Sequence, residues 1–164
     1  MTSAPLLYTY RRCPYAMRAR MALLWAGLPF DAHEIVLRHK PPALLAASPK
    51  GTVPVLVLPG GRVIEESWDI VEWALNQPGL PESVRALWLR AQTSANLELL
   101  RINDGPFKHH LDRYKYPDRY QHEPGNERTD HRGEGLAILS DLNFRLSDRT
   151  QLLGERRSMT DIAL

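Results

Sequence analysis

The sequence predicts an α/β domain followed by an all-helical one. Between residues 6 and 75, short apolar runs of strand character alternate with helical stretches in the order β-α-β-α-β-β-α. Beyond the Pro- and Gly-dense stretch "NQPGLPE" (76–82), the apolar spacing is helical only. Residues 1–76 are therefore read as the first domain, 77–82 as a linker and 83–164 as a helical domain.

Each element has a local reason. "LLYTY" (6–10) is apolar and aromatic, and the breakers "SAP" and "RRCP" bound it as a strand. From Ala16 to Ala26 the residues Met17, Met21, Leu24 and Trp25 recur at helical spacing, and Gly27 stops the helix. "DAHEIVL" (31–37) reads as a second strand, and "PPALLAASPKG" (41–51) as a short helix or turn. "VPVLVL" (53–58) is a buried strand that turns at "PGG", and "RVIEE" (62–66) returns as its hairpin partner. Ser67 is expected to cap a helix running through Leu75, with Ile70, Val71 and Ala74 facing inward.

In the helical domain, Val84, Leu87, Trp88, Ala91 and Ala95 form one stripe that continues toward Ile102. Residues 114–135 are polar and helical at best in part, and Ile138, Leu139, Leu142 and Leu146 form a further stripe. "SMTDIAL" (158–164) opens a helix, with Ser158 as cap and Asp161 three residues on. Four residues past a cap would bury almost nothing and nucleate poorly. The helical domain is therefore expected to be incomplete, with the natural chain continuing past Leu164.

Composition excludes several function classes. The chain has 164 residues, 43% of them hydrophobic, enough for a real core. Its formal net charge is only +2, and Lys and Arg are scattered among acids, so no nucleic-acid surface is expected. No run approaches a membrane span, and the N-terminus lacks a basic segment before a long apolar stretch, so neither membrane nor secretory leader is expected. A single cysteine forms no internal disulfide, which suits a reducing cytoplasm. His109 and His110 are adjacent and are expected to point to different helix faces, while His122 and His131 fall in polar sequence. No metal is expected. "DRYKYPDRYQ" (112–121) reads as a solvated loop or domain contact.

That single cysteine, Cys13, stands at the head of the first helix. A helix N-terminus presents unpaired N–H groups and a partial positive charge, and both favour a thiolate over a thiol. Pro14 fits the first turn, where its missing N–H costs nothing. Arg11, Arg12 and Arg18 add to the effect if they point inward. An inert, buried cysteine is the competing reading.

A strand, then "CPYA" opening a helix, then "TVPVLV" and "IEES" downstream, resembles the N-terminal domain of glutathione S-transferases, most closely the omega-class and related bacterial cysteine-type members. The resemblance implies a thioredoxin-like first domain and a helical second one. It implies that Cys13 faces the glutathione sulfur and that Val53 pairs its backbone with the cysteinyl part of glutathione. Pro54 would be a cis proline beside the thiol, and Glu66 and Ser67 would hold the γ-glutamyl end. Lys40 would reach the glycyl carboxylate.

Ala16 stands where a dithiol enzyme of this fold carries its second cysteine. Cys13 can then form only a mixed disulfide, most simply with glutathione, which a second glutathione resolves. The expected function is a cytoplasmic, cysteine-type glutathione-dependent thiol transferase or deglutathionylating enzyme. Glutathione is its co-substrate, and the second substrate is an unidentified small molecule or protein thiol. Two alternatives stay open. One is a non-catalytic binding or regulatory protein of the same fold. The other is a conjugating transferase of the Tyr or Ser type, for which Tyr8, Thr9 and Tyr10 lie near. The family resemblance also implies a homodimer built on the helices that begin at Trp68 and Val84.

Overall fold

The computed structural model describes residues 4–164. Residues 1–3, where the expected first domain and the leader reading begin, lie outside the described residues. The chain divides into two compact units inside one helix. The described residues up to Ala86, with Ala163, form one unit, and residues 87–162, with Leu164, form the other.

The first unit follows the expected order: β1 (Leu6–Thr9), α1 (Pro14–Trp25), β2 (Asp31–Glu34), α2 (Pro42–Ala47), β3 (Val55–Val57), β4 (Val63–Ile64) and α3 (Ser67–Leu75). Its four-stranded mixed sheet has the order β2-β1-β3-β4. β1 runs parallel to β2, with Leu6 opposite Asp31, and antiparallel to β3, with Leu7 opposite Leu56. β3 and β4 form the expected hairpin. Leu7, Leu23, Leu44, Val55, Leu56 and Ile70 are fully buried. This is the thioredoxin-like arrangement of a parallel unit joined to a hairpin.

Two local expectations change. The strand read over 31–37 ends its ladder at Glu34, because the chain turns and Val36 and His39 form an antiparallel bridge. Its four residues are all exposed, so β2 is a polar edge strand. In α1 the apolar stripe is not the packed face: Met17 is 46% and Leu24 66% exposed. Ala16, Ala19, Ala22 and Leu23 are buried instead, and α1 packs on α3 through these smaller side chains. Small residues permit close approach of helix backbones, and the hydrophobic pattern alone does not show this.

The second unit contains the second half of α4 (Glu82–Ala91), then α5 (Ser94–Ile102), α6 (Lys108–Lys115), α7 (His131–Arg145) and most of α8 (Thr160–Ala163). The single stripe expected from Val84 to Ile102 is two helices. Thr93 is the N-cap of α5, and its side chain accepts from Asn96 N at 3.3 Å. Asn96, 4% exposed, donates from Nδ2 to Arg90 O (3.0 Å) and Thr93 Oγ1 (2.7 Å), so the break is held by buried hydrogen bonds. Thr93→Ala is expected to cost about 1 kcal/mol, read as a lower urea midpoint with unchanged slope. A π-helical turn, Asn103–Phe107, joins α5 to α6.

The stripe on α7 does not reach a core. Leu139 and Leu146 are 44% and 43% exposed, Ile138 and Leu142 are only half-buried, and Gly135 is the helix's buried residue. The segment 158–164 reverses the opposite expectation. It does form a short helix, but Ser158, Met159 and Thr160 are 4%, 0% and 1% exposed. Ser158 Oγ lies 3.1 Å from Asn96 Oδ1, and Met159 N donates to Leu87 O at 3.1 Å. Tertiary hydrogen bonds and burial stabilise a helix too short to persist alone. No helix among the described residues is long and apolar enough to cross a membrane.

Candidate functional site

Cys13 is the N-cap of α1, and Pro14 occupies its first turn. The backbone carbonyl of Cys13 accepts the first helical bond, from Met17 N at 2.9 Å. The thiol is half-buried and donates to Val53 O at 3.7 Å, a long contact suited to a weak sulfur donor. The Val53–Pro54 peptide bond is cis, and Pro54 is buried. Two sequence-predicted residues separated by forty positions therefore touch at the head of α1.

Glu66 and Ser67 open α3, one position away from the expected pattern. Glu66 occupies the N-cap position without a side-chain cap, and Ser67 is the first helical residue. Ser67 is 4% exposed and accepts from Arg18 Nε at 3.0 Å. Arg18, 3% exposed, lies over the rings of Tyr15 and Trp68 at 5.0 and 5.8 Å. Of the three flanking arginines, Arg18 points inward while Arg11 and Arg12 are exposed. The sequence reading set Arg18 beside Cys13 and did not reveal its contact with Ser67.

Glu66 is exposed and pairs with Lys50 at 2.8 Å, which the sequence reading missed. Hydrogen bonding and charge attraction from Glu66, then Glu65, hold the Lys50 ammonium above the usual lysine range. Both partners are more than half exposed, so this pair contributes little and can exchange partners cheaply. A cavity of about 630 Å³ adjoins Lys50, Glu66 and Trp73, but Cys13 does not line it. Lys40 is exposed, and its ammonium passes over Gly51, where an added Cβ would meet Nζ at 3.2 Å. Gly51 has φ of 61°, so glycine there serves both the turn and the close approach of the lysine.

The hydroxyls near Cys13 are engaged otherwise. Tyr8 is 5% exposed in the core, Thr9 accepts from Arg20 Nη1 at 2.5 Å, and Tyr10 accepts from Arg12 Nε at 2.8 Å.

Away from this site, one expectation is overturned. His109 and His110 do not diverge: their ring centroids lie 5.0 Å apart, and His131 lies 5.7 and 5.2 Å from them. His131 is the first residue of α7 and not part of a loop. Packing of α6 against α7 brings the rings together, a contact that helical spacing within one segment does not reveal. Burial, with the charges of Arg113 and the neighbouring histidines, pushes His109 and His131 below the usual histidine range.

Residues 7–82 match the family model described as glutathione S-transferase, N-terminal domain. The chain is similar to maleylacetoacetate isomerase of Pseudomonas aeruginosa, with 26% identity over 96% of the chain and 77% of that protein. It is 34% identical to pyrimidodiazepine synthase of Drosophila melanogaster over 62% of the chain, which spans 43% of that protein's length. A glutathione S-transferase from Methylobacillus flagellatus, solved with glutathione bound, superposes with a TM-score of 0.74 at 22% identity, covering 98% of this chain and 79% of that one. Fold and domain match agree, and residues 7–82 are similar to the N-terminal domain of glutathione S-transferases.

Proposed function

We propose that the protein is a glutathione-dependent thiol transferase with Cys13 as its nucleophile. The observation that carries this reading is Cys13 at the N-cap of α1 with its sulfur against Val53 O, beside a cis Pro54. Glutathione is the co-substrate of the family. In the proposed cycle, the Cys13 thiolate attacks the glutathionyl sulfur of a mixed disulfide. The Cys13–glutathione disulfide forms as the original S–S bond breaks, and the substrate thiolate leaves and takes a proton. A second glutathione thiolate attacks that glutathionyl sulfur, releasing glutathione disulfide and the Cys13 thiolate. The sum reduces one mixed disulfide and oxidises glutathione, and one protein thiol suffices.

The glutathione contacts follow from chemistry. Ser67, at the N-terminal turn of α3, and the positive end of that helix suit the γ-glutamyl carboxylate. Glu66 suits the γ-glutamyl ammonium, exchanging it for Lys50. Val53 supplies backbone groups to the cysteinyl unit beside Pro54, and Lys40 suits the glycyl carboxylate. Homodimer assembly, a cytoplasmic setting, and a second substrate that is a small molecule or protein thiol belong to the same reading.

Calorimetric titration with glutathione tests the binding half. Ser67→Ala is expected to weaken affinity by about 1–3 kcal/mol, the scale of a hydrogen bond to a charged group. Affinity unchanged within error would move the tripeptide away from α3. Ser67 is not the cap of α3, so the accompanying stability change includes the lost Arg18 hydrogen bond and no lost cap.

A further inference from the structure

The second unit holds a histidine cluster that the proposed function does not use. One ring nitrogen from each of His109, His110 and His131 lies within 4.8 Å of the others. His110 Nδ1 and His131 Nδ1 are 2.9 Å apart. We propose that these three imidazoles form a binding site for a divalent transition-metal ion of the zinc class.

The donor chemistry selects the ion. Neutral imidazole suits zinc, copper, nickel and cobalt, and three histidines with an open fourth position are a known zinc ligand set. Calcium and magnesium require oxygen ligands, which this set does not offer. The spacing is close to what such an ion needs. Nitrogens about 2.0–2.1 Å from one ion stand about 2.8–3.0 Å apart at a right angle and about 3.3–3.4 Å apart at the tetrahedral angle. The 2.9 Å pair already lies in that range. His109 is exposed on α6, so its ring is free to close the remaining distance.

The tautomer is set from outside the cluster. Asn126 Oδ1 lies 2.8 Å from His131 Nε2, and a carbonyl oxygen only accepts, so Nε2 carries the proton. The lone pair of neutral His131 is then on Nδ1, facing His110. A ring N–H held by a carbonyl oxygen is the usual support of a metal-binding histidine. Asp130 caps α7 through Gly133 N at 2.9 Å and fixes the backbone that carries His131. Arg113 is the opposing charge, its Nη1 donating to His109 O at 3.1 Å. Its guanidinium is paired with Glu123, 2.9 Å from Nε, which offsets most of its repulsion of a cation. A cavity of about 410 Å³ lined by Asn126 and His131 gives solvent access to the His131 side of the cluster. Without an ion, the 2.9 Å contact is simply a hydrogen bond from His110 Nδ1–H to His131 Nδ1, and experiment separates the two.

The test titrates Zn²⁺ into chelator-treated protein by calorimetry, and Co²⁺ by visible absorption, in the Cys13→Ser background so that the thiol cannot compete. One ion per chain is expected. His109→Ala, His110→Ala and His131→Ala should each weaken binding at least about tenfold, while His39→Ala in the first unit should not. Circular dichroism checks folding, and exposed His109 provides a variant that leaves the core intact. No saturable binding up to about 1 mM, or affinity indifferent to all three variants, overturns the proposal. Loss confined to His110→Ala and His131→Ala overturns the three-ligand site.

Discussion

Cys13→Ser is expected to abolish glutathione-dependent reduction of small mixed disulfides, a loss on the order of 10³-fold or more in turnover, the scale on which removal of a nucleophile acts. Glutathione affinity should change little, because the proposed contacts to the tripeptide's two ends come from Lys40, Glu66 and Ser67. The large effect follows from the absence of a substitute. The sequence contains one cysteine, and serine's hydroxyl neither ionises at neutral pH nor exchanges with disulfides. Wild-type protein incubated with glutathione disulfide should gain one glutathionyl group, at Cys13, and lose it to added glutathione. The serine variant should gain none. Full turnover in the variant would sink the thiol mechanism and return the chemistry to a hydroxyl. Unchanged binding with no turnover in either protein would leave the binding-protein reading standing instead. The hydroxyls of Tyr8, Thr9 and Tyr10 are poorly placed to take over, being buried in the core or engaged by Arg20 and Arg12.

The largest expected stability effect lies at Asp161. Its Oδ1 accepts from Leu152 N at 2.8 Å, and its Oδ2 accepts from Ser158 N and Ser158 Oγ, both at 2.7 Å. Hydrogen bonds to a charged acceptor contribute about 1.5–3 kcal/mol each, and those sharing one carboxylate do not add fully. Asp161→Ala removes all of them and leaves two partly buried amides unpaired. The expected cost is about 3–5 kcal/mol, read by urea unfolding and by lost hydrogen-exchange protection at Leu152 and Ser158. Asp161→Asn retains the shape and should cost less. A loss below about 1 kcal/mol for the alanine variant would mean that burial of Met159 alone holds the segment.

These outcomes rest on features the sequence shows unequally. Strand and helix order in the first unit was legible because every element has local punctuation: Gly27 after α1, the "PGG" turn, and the polar start of α3. Cys13 and Pro54 were legible because "CPYA" and "TVPVLV" are short contiguous motifs. The reciprocal Ser158–Asp161 pattern was legible for the same reason, since both partners lie within one turn.

What only the tertiary structure decided is which faces are buried and which distant side chains meet. Helical period located a stripe on α1, but packing against α3 selected the alanines and Arg18 and left Met17 and Leu24 exposed. Lys50 meets Glu66 across sixteen positions, and Arg18 meets Ser67 across forty-nine. The last helix is too short to persist by its own propensity, so its burial depends on Asn96, Leu87 and Leu152. The histidine cluster follows the same rule. Local spacing separates His109 from His110, and the docking of α7 on α6 brings both to His131. Sequence-local free energies determined the order of elements here, whereas partner choice depends on contacts between residues far apart in the chain, which a local pattern does not encode.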